Sequence, residues 1–542
     1  MARRMTGGEA IVESLLAHGV DTVFALPGVQ TYHLFDALHR AGDRIRTIAP
    51  RHEQAAGYMA YGYAKSTGKV GVYSVVPGPG VLNSTAALCT AYGAGTPVVC
   101  ITGQVPLNFL GLGKGHLHEL PDQLATLRTL TKWAARIEHP GEAPALVAEA
   151  FRQATSGRPG PVALEMPWDV FAMTAPASIT PPCPPSPPLM ADPSQIARAV
   201  EVLREARNPM IMVGGGAVHA GPEVLELAEM LQAPVVSLRS GRGIVSDEHY
   251  LGFTCAAAYP RWRETDVLIG IGTRLELLWF RWHSQPPGLR IVLLDIDPRQ
   301  KARLHPAASV VGDAKASAAE LLAALQQVSE PRPSRQAEFT QLKAGMQEQI
   351  QKVRPYVQYL QAIRDVLPRD GFLVEEVCQA GFAACFAFPV YEPRKFVTAG
   401  CQGTLGFGFP AALGVKVAHP DKAVVSLNGD GGFQFGLPEL ATAVQYGIPL
   451  VSIVFNNGAY GNVRRDQERL FAGRTLGSEL RNPDFVALAE SYGVRACRVH
   501  TPERLRPVLE RALGESGATL IEIPVDDRGQ ASPWEFLMPT AR

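Results

Sequence analysis

Short apolar runs recur along the whole chain, and segments with the apolar spacing of helices separate them. Strands buried on both faces of a sheet produce continuous apolar runs of this length. Alternation of such strands with helices is typical of parallel sheets in α/β domains. The runs behind this prediction are 70–76, 97–102, 210–213, 267–271, 291–296, 424–427 and 450–455.

Two breaks divide this pattern into three blocks. Proline occupies seven of the thirteen positions in 176–188, which prevents regular structure and indicates a semi-rigid connector. A polar break at 329–334 is followed by a predicted helix that ends near residue 353. We therefore expect three doubly wound parallel-sheet domains and a C-terminal tail, at 1–175, 190–328, 355–530 and 531–542.

The first and third blocks share a sequence pattern. A shift of 352 positions aligns Gly80 with Gly432 and Pro97 with Pro449. Both segments read strand, glycine-rich turn, helix, proline and strand. We expect these two blocks to have a common architecture.

Composition narrows the classes of function. The chain has 51 basic and 51 acidic residues, so its net charge argues against general binding to nucleic acids or anionic membranes. No apolar run approaches the roughly 18 residues of a membrane-spanning helix. Thr6 and Glu9 predict a helix capping box where a signal peptide would have its apolar region. The eight cysteines include no C-x-x-C pair, which indicates a reducing compartment and a cytoplasmic protein.

Two polar turns follow neighbouring apolar runs near the C-terminal end. Asp430 follows the first run, and Asn457 follows the second run 27 positions later. Parallel strands end at the same edge of a sheet, where ligands bind. A carboxylate and an amide oxygen suit a hard cation, and Gly431 and Gly432 let backbone N–H groups approach an anion. The pattern predicts a site for Mg²⁺ and a diphosphate. The alternative is a helix cap at Asp430 and an ordinary turn at Asn457.

This pattern resembles the thiamine-diphosphate-binding motif, G-D-G followed after 24 residues by N-N. The chain resembles the superfamily of acetohydroxyacid (acetolactate) synthase, benzoylformate decarboxylase and pyruvate oxidase, and most of all the acetolactate synthases. The resemblance implies pyrimidine-binding, central and diphosphate-binding domains for the three blocks. The supporting segments are Pro27-Gly28, Arg51-His-Glu-Gln-Ala-Ala56, Gly78-Pro-Gly80, Ile101-Thr-Gly-Gln104, Gly157-Arg-Pro-Gly-Pro161, Val213-Gly-Gly-Gly216, Asp295-Ile-Asp-Pro298, Gly403-Thr-Leu-Gly-Phe-Gly408 and Asn457-Gly-Ala-Tyr-Gly461.

The resemblance assigns residues to the cofactors thiamine diphosphate and Mg²⁺. Asp430, Asn457 and the backbone oxygen of Ala459 are the implied metal ligands. Glu53 is the implied catalytic carboxyl, which hydrogen-bonds the aminopyrimidine ring and promotes loss of the thiazolium proton. The remaining implied cofactor contacts are Pro27, Gly28, Gly80, Cys378, Gln379, Gly403, Leu405, Gly431, Gly432, Tyr460 and Gly461.

In the family, the pyrimidine and diphosphate domains of two different subunits face each other. The resemblance therefore implies a homodimer or homotetramer with the site at the dimer interface. Leu405 would support the bent cofactor, and the carbonyl of Gly403 would accept a hydrogen bond from the aminopyrimidine. As an alternative, Leu405 is an ordinary core residue.

Several positions depart from the acetolactate synthases and concern the substrate. Trp168 stands where those synthases have a lysine, and His118 replaces a glutamine near the cofactor. His118 is a candidate acid or base, because imidazole exchanges protons near neutral pH. The alternative is that His118 only caps a loop. Arg274 matches a synthase arginine that meets the acceptor carboxylate; the alternative is a surface arginine that follows a strand. The segment Gly252-Phe-Thr-Cys-Ala256 replaces the stretch that supports FAD in the synthases, so we expect no FAD.

Other residues have weaker implied roles. Val29, Gln30 and His33 follow the Pro27-Gly28 turn and are candidate substrate contacts. The tail contains the aromatic segment Ser532-Pro-Trp-Glu-Phe-Leu-Met538, which we expect to cover the cleft as a lid or to pack at the dimer interface.

The leading hypothesis is an enzyme that decarboxylates a 2-oxo acid and then joins the product to a second carbonyl, as acetolactate synthase does. The alternative is a non-oxidative 2-oxo acid decarboxylase or 2-hydroxy ketone lyase of the benzoylformate decarboxylase type. A non-catalytic cofactor-binding subunit is a third hypothesis, against which the intact Glu53 argues. A nicotinamide or flavin oxidoreductase is a fourth, but Gly214-Gly-Gly-Ala-Val-His219 lacks the third glycine of the dinucleotide motif.

Overall fold

The protein is described by a computed structural model that covers residues 2–184, 187–526 and 528–539. It contains three sheets of six parallel strands, each flanked by helices. The prediction of three parallel-sheet α/β domains is confirmed. Parts of the proline-rich connector (185–186), of the third block (527) and of the tail (540–542) lie outside the described residues.

The N-terminal domain has the strand order β3-β2-β4-β5-β7-β6, and β1 pairs antiparallel with β8 beside it. Its first helix begins with the predicted capping box, in which Thr6 and Glu9 exchange hydrogen bonds of 2.8 and 3.1 Å. The strands are β1 Arg3–Thr6, β2 Thr22–Ala25, β3 Arg46–Ile48, β4 Gly71–Val75, β5 Val98–Gln104, β6 Trp133–Arg136, β7 Val162–Pro167 and β8 Thr174–Ala177. The helices are α1 Gly7–Ala17, α2 Tyr32–Ala41, α3 Glu53–Thr67, α4 Pro79–Ala94, α5 Gln123–Leu130, α6 Ala143–Thr155 and α7 Trp168–Ala172.

The central domain has the strand order β11-β10-β9-β12-β13-β14. The order reverses between β9 and β12, and a crevice forms where the connections from these strands leave in opposite directions. The strands are β9 Pro209–Val213, β10 Val235–Ser237, β11 Gly252–Thr254, β12 Val267–Ile271, β13 Arg290–Asp295 and β14 Ala308–Val311. The helices are α8 Pro193–Arg204, α9 Gly221–Leu231, α10 Cys255–Ala258, α11 Arg299–Leu304 and α12 Ala314–Gln326, and α13 Gln336–Ile350 follows the domain.

The C-terminal domain has the strand order β16-β15-β17-β18-β20-β19. Its strands are β15 Phe372–Glu375, β16 Phe396–Thr398, β17 Val424–Gly429, β18 Val451–Asn456, β19 Arg495–Arg498 and β20 Thr519–Pro524. Its helices are α14 Tyr356–Val366, α15 Gln379–Ala387, α16 Gly408–Ala418, α17 Asp430–Gly436, α18 Glu439–Gln445, α19 Gly461–Leu470, α20 Phe485–Ser491 and α21 Pro502–Leu513. The tail adds α22 Trp534–Leu537.

The N-terminal and C-terminal domains have the same topology. Counted from β2 and from β15, both sheets place their strands in the order second, first, third, fourth, sixth and fifth. The common architecture that the repeated sequence pattern predicts is therefore present.

Two glycines allow these domains to pack closely within one chain, where α3 crosses α16. A Cβ atom on Gly62 would lie 2.0 Å from the backbone oxygen of Ala411, and one on Gly414 would lie 2.0 Å from that of Met59. Any larger side chain at these positions would force the helices apart. The start of α3 is also held in place, because the backbone N–H groups of Arg51 and His52 donate to the buried carboxylate of Glu439.

Candidate active site

The predicted metal ligands meet at the carboxyl edge of the C-terminal sheet. Strands β17 and β18 are parallel neighbours, with Gly429 opposite Phe455, so Asp430 and Asn457 emerge side by side. The backbone N–H of Ala459 lies 3.3 Å from Oδ2 of Asp430 and 3.2 Å from Oδ1 of Asn457. This shared donor holds both oxygens near one turn.

Asn482 fixes the carboxylate of Asp430. Its Nδ2 donates to Oδ2 of Asp430 at 2.6 Å and to Oδ1 of Asn456 at 2.8 Å. Burial raises the pKa of Asp430, although hydrogen bonds from Asn482 and from backbone N–H groups oppose that rise. Sequence reasoning missed Asn482, because it lies in a polar loop far along the chain from both turns.

The glycines beside Asp430 bring neighbouring turns into contact. A Cβ atom on Gly431 would lie 2.5 Å from Cε1 of Tyr460, and one on Gly429 would lie 2.8 Å from Cβ of Cys378. Cys378 is the N-cap of α15, and its Sγ accepts the N–H of Gly381 at 3.3 Å. The N-termini of α15 and α17 therefore meet here, and their free N–H groups favour an anion.

This arrangement fits a magnesium diphosphate. Its oxygen donors are one carboxylate, one amide and the backbone, which suit Mg²⁺. In the described part of the chain, three or more His, Cys, Asp or Glu residues do not cluster into a different metal site.

Glu376 ties the segment around Leu405 to this edge. It is fully buried, and its carboxyl accepts the N–H groups of Gly406 and Gly408. A Cβ atom on Gly432 would lie 2.6 Å from its Oε1. Burial raises the pKa of Glu376 to about 8. Leu405 is half-buried in the segment that Glu376 holds, next to the exposed Gly403. Sequence reasoning missed Glu376.

A second group of candidates meets at the carboxyl edge of the N-terminal sheet. Glu53 is the first residue of α3, and its Oε2 accepts Nδ2 of Asn83 at 3.0 Å. A Cβ atom on Gly80 would lie 3.5 Å from Oε1 of Glu53 and 2.7 Å from Val76. The Pro27-Gly28 turn packs on the same valine, because a Cβ atom on Gly28 would lie 2.5 Å from it.

His118 and Gln30 are hydrogen-bonded at this edge. Nδ1 of His118 lies 2.7 Å from Oε1 of Gln30, while Nε2 of Gln30 donates to the oxygen of Leu117 at 2.7 Å. Both residues have positive φ angles, of 66° and 72°. Strained backbone at two contacting residues is typical of a functional site. Burial lowers the pKa of His118.

The other substrate candidates lie on neighbouring elements. Val29 is half-buried beside Gln30, and His33 lies in the first turn of α2. Trp168 is half-buried at the start of α7, directly after β7.

The Glu53 group and the Leu405 segment contact different turns of α4. Gly80 contacts Glu53 near the start of α4, whereas Thr90, ten residues later, lies 3.0 Å from Thr404 through their hydroxyls. Ten helical residues span about 15 Å along the axis. Glu53 and the Leu405 segment therefore contact α4 at positions about 15 Å apart along its axis.

A large cleft of about 1050 Å³ separates the three domains. It includes the central crevice, and Arg274 lines it, with Nη1 3.7 Å from Sγ of Cys401. Lys65 also lines it, and burial together with Arg394 and Arg158 lowers the pKa of Lys65 to about 7. The structure thus places Arg274 in this cleft, separate from the Asp430 edge.

A smaller cavity of about 260 Å³ lies between the central and C-terminal domains. Gly403, Glu375, Arg281 and the tail residue Trp534 are among its walls. The ring of Trp534 packs edge-on against Phe382 at 5.0 Å. The described part of the tail thus supplies part of the wall of this cavity. Sequence reasoning missed Glu375 and Arg281.

Among the described helices, none has the length and apolar character to cross a membrane.

Sequence comparisons agree with the three-domain division. Residues 5–126 match the family "Thiamine pyrophosphate enzyme, N-terminal TPP binding domain". Residues 196–322 match the central domain of that enzyme, and residues 376–523 match its C-terminal TPP binding domain.

Relatives match over nearly the full length. The acetolactate synthase large subunit of Haemophilus influenzae is 32% identical over 98% of this chain and 97% of its own length. A probable 2-ketoarginine decarboxylase of Pseudomonas aeruginosa is 35% identical over 96% of this chain and 94% of its own. A probable acetolactate synthase large subunit of Methanocaldococcus jannaschii is 34% identical over 96% and 92%.

Proposed function

Because this chain belongs to the thiamine pyrophosphate enzyme family, we propose that it uses thiamine diphosphate and Mg²⁺ to decarboxylate a 2-oxo acid and to join the product to a second carbonyl compound. The observation that carries this proposal is the turn in which one N–H, that of Ala459, serves both Asp430 and Asn457. Full-length similarity to acetolactate synthases supports ligation as the second step.

The C-terminal domain holds the charged end of the cofactor. Asp430, Asn457 and the backbone oxygen of Ala459 bind Mg²⁺, and the N-termini of α15 and α17 receive the diphosphate. Asn482 keeps Asp430 oriented. The other residues proposed to contact the diphosphate end of the cofactor are Cys378, Gln379, Gly431, Gly432, Tyr460 and Gly461.

The aromatic end of the cofactor meets backbone and apolar groups. The carbonyl of Gly403 would accept a hydrogen bond from its amino group, and Leu405 would pack against it. Pro27, Gly28 and Gly80 leave room beside Glu53. When bound, thiamine diphosphate supplies the carbon nucleophile. Glu53 holds the proton at the pyrimidine ring.

Two chains form each site in this proposal. Glu53 and the Leu405 segment contact α4 at positions about 15 Å apart along its axis in one chain, which favours the Glu53 of a second subunit as the group that serves the cofactor. Exposed apolar side chains near the candidate site support an interface, since large apolar patches mark contact surfaces. They are Tyr32, Leu82, Leu112, Leu117, Phe435, Val463, Phe471 and Leu476. A homodimer is the smallest active unit, and a homotetramer is a pair of such dimers.

His118 moves a substrate proton. The amide nitrogen of Gln30 is committed to Leu117, so its oxygen faces His118 and accepts the Nδ1 proton. Nε2 of the neutral ring is then free to accept a proton. Val29, Gln30, His33 and Trp168 border the substrate.

Decarboxylation without ligation is the second candidate. The relative described as a 2-ketoarginine decarboxylase supports it, as does Trp168 in place of a synthase lysine. A lyase of the benzoylformate decarboxylase type would use the same cofactors and the same cofactor-binding residues. A non-catalytic subunit is disfavoured because Glu53 is retained.

Compartment and flavin content complete the proposal. All eight cysteines are unpaired, which supports a reducing, cytoplasmic location. The segment Gly252-Phe-Thr-Cys-Ala256 supports function without FAD.

Arg274, in the large cleft, is proposed to bind the carboxylate of the acceptor.

Product analysis tests this function. ¹³C-labelled pyruvate is incubated with the protein, thiamine diphosphate and Mg²⁺ and followed by NMR, with a control that lacks the cofactor. Cofactor-dependent acetolactate supports ligation, and acetaldehyde alone supports the decarboxylase alternative. Failure to bind thiamine diphosphate in a parallel calorimetric titration would refute the proposal.

A further inference from the structure

A buried amide side chain connects the two backbone segments that pack on the His118–Gln30 pair. Gln123 is the first residue of α5 and is 1% exposed. Its Oε1 accepts the backbone N–H of Gly78 at 2.8 Å, and its Nε2 donates to the backbone oxygen of Gly103 at 3.0 Å. One side chain thus joins the turn before α4 to the last part of β5.

Each of these two segments packs on one member of the pair. A Cβ atom on Gly78 would lie 2.5 Å from the backbone oxygen of His118. A Cβ atom on Gly103 would lie 2.6 Å from the backbone oxygen of Gln30. Because the contacts are this close, a shift of either segment also shifts His118 or Gln30.

The hydrogen bonds of Gln123 allow its amide only one orientation. The backbone N–H of Gly78 can only donate, so the oxygen of the amide must face it. Nε2 of Gln123 also donates to Oε2 of Glu165 at 2.9 Å, in addition to its bond to Gly103. Both hydrogens of the amide and its oxygen therefore have partners within the protein, and the side chain is held at three points.

Glu165 anchors this amide to the middle of the sheet. It lies in β7 and is fully buried, opposite Thr102 of β5 and Arg136 of β6. Its carboxyl also accepts Nε2 of Gln104 at 3.2 Å and Nε of Arg136 at 2.6 Å. Three strands thus fix the position of Gln123 through one carboxyl group.

The turn that Gln123 holds also reaches Glu53. Gly80 lies two residues after Gly78, and a Cβ atom on Gly80 would lie 3.5 Å from Oε1 of Glu53. Gln123 therefore supports the backbone beside both side chains that carry protons in the proposed function, which are Glu53 and His118.

We propose that Gln123 is a positioning residue for proton transfer. It fixes the two backbone segments that it joins, and it thereby sets the relative position of His118 and Gln30. The inference rests on the proposed function, in which His118 moves a substrate proton. Loss of the hydrogen bonds of Gln123 should therefore slow the chemistry and leave binding of the cofactor intact.

Gln123→Met tests this role, because methionine has nearly the same length and forms none of the three hydrogen bonds. With the 2-oxo acid that the wild type turns over, we expect kcat to fall about 10- to 100-fold, since displacement of a catalytic group by about 1 Å can cost that much. Thiamine diphosphate affinity, measured by calorimetry, should stay close to the wild-type value. Full activity in this variant, or loss of cofactor binding, would overturn the proposal.

Gln153→Met is the matched control. Gln153 is half-buried on α6, and its Nε2 donates to Oε1 of Glu149 at 2.7 Å, so the same substitution again removes a hydrogen bond to a glutamate. We expect this variant to keep wild-type kcat. A loss of kcat as large as that in Gln123→Met would show that the effect is not specific to Gln123, and would overturn the proposal.

A double-mutant cycle separates positioning from general destabilisation. If Gln123 acts through His118, Gln123→Met should cause little further loss of kcat in a protein that already carries His118→Gln, because coupled residues are not additive. A purely structural effect would lower kcat by the same factor in both backgrounds. Independent losses of this kind would contradict the proposal.

A second variant displaces the pair while the Gln123 side chain is unchanged. Gly103→Ala places a methyl group 2.6 Å from the backbone oxygen of Gln30, so one of the two segments must shift. We expect kcat to fall several-fold while thiamine diphosphate binds as before. Wild-type kcat in this variant would show that the reaction does not depend on the spacing that Gln123 sets.

These variants distinguish failure of this inference from failure of the proposed function. Absence of turnover with any 2-oxo acid would refute the proposed function. Full activity of His118→Gln would refute the proton transfer proposed for His118, and this inference with it. Impaired activity of His118→Gln together with full activity of Gln123→Met would refute this inference alone.

Discussion

Nδ1 of His118 lies 2.7 Å from the amide oxygen of Gln30, and both residues hold left-handed backbone angles. The amide nitrogen of Gln30 is bound to the carbonyl of Leu117, which fixes the orientation of the amide. The imidazole must therefore carry its proton on Nδ1 when it is neutral. Nε2 is left as an acceptor, which is the form that a general base requires.

Replacement of His118 should impair the chemistry while the cofactor still binds. We expect His118→Gln to lower kcat about 100-fold or more, the contribution typical of general acid–base catalysis. His116→Gln, in the same loop, is the matched control and should retain activity. Steady-state kinetics with 2-oxo acids and calorimetry with thiamine diphosphate check both variants. An equal loss of activity in both variants would indicate that the substitutions disturb the loop, and would contradict a catalytic role for His118.

The pH profile should reflect the same histidine. Burial lowers the pKa of His118 from its ordinary value of 6.5, so the ring becomes half protonated at a pH below that value. Activity that needs the neutral ring should fall as the pH is lowered, with a midpoint below pH 6.5. Measurement of kcat/KM across this pH range should show the decrease at low pH, and the profile of His118→Gln should not show it. A decrease that persists in the variant would assign it to another group.

Glu53→Gln should separate catalysis from binding. The amide keeps the size of the side chain but cannot exchange the proton. We expect kcat to fall about 10²- to 10⁴-fold. Thiamine diphosphate affinity, measured by calorimetry, should stay close to that of the wild type. Glu138→Gln, at an exposed position, is the control. Full activity in Glu53→Gln would contradict the role given to this carboxyl.

Asp430→Asn should affect the metal first. The substitution keeps the shape of the side chain and removes the charge that attracts Mg²⁺. Loss of a residue that only hydrogen-bonds to a metal ligand typically lowers metal affinity 10- to 100-fold. Because Asp430 is proposed to be a direct ligand, we expect Mg²⁺-dependent cofactor binding to fall roughly 100-fold or more. Circular dichroism should show a folded protein. Normal affinity in this variant would refute the metal assignment.

The architecture of three parallel-sheet domains could be predicted from the sequence. Continuous apolar runs such as 267–271 become buried parallel strands with little ambiguity, because both faces of such strands are covered. The convergence of Asp430 and Asn457 was also predictable, since parallel order alone brings the ends of β17 and β18 together. The identical strand order of the first and third domains matches the repeated pattern.

The supporting residues of the site were not predictable in the same way. Asn482 reaches Asp430 across 52 positions, and Glu376 reaches Gly406 across 30. Neither has a local pattern, because each contact arises only when loops from separate strands fold over the sheet edge. Arg281 also has no local sequence pattern that predicts its contacts, because only the packing of two domains brings it beside Glu375.

Subunit complementation tests the central claim that two chains build each site. Glu53→Gln and Asp430→Asn are each expected to be inactive. In a mixed dimer, one site combines the intact Glu53 of one subunit with the intact Asp430 of the other. Random mixing of equal amounts should restore about one quarter of wild-type activity per chain, because half of the dimers are mixed and each has one intact site. If mixed dimers form and remain inactive, each site lies within a single chain and the account is wrong.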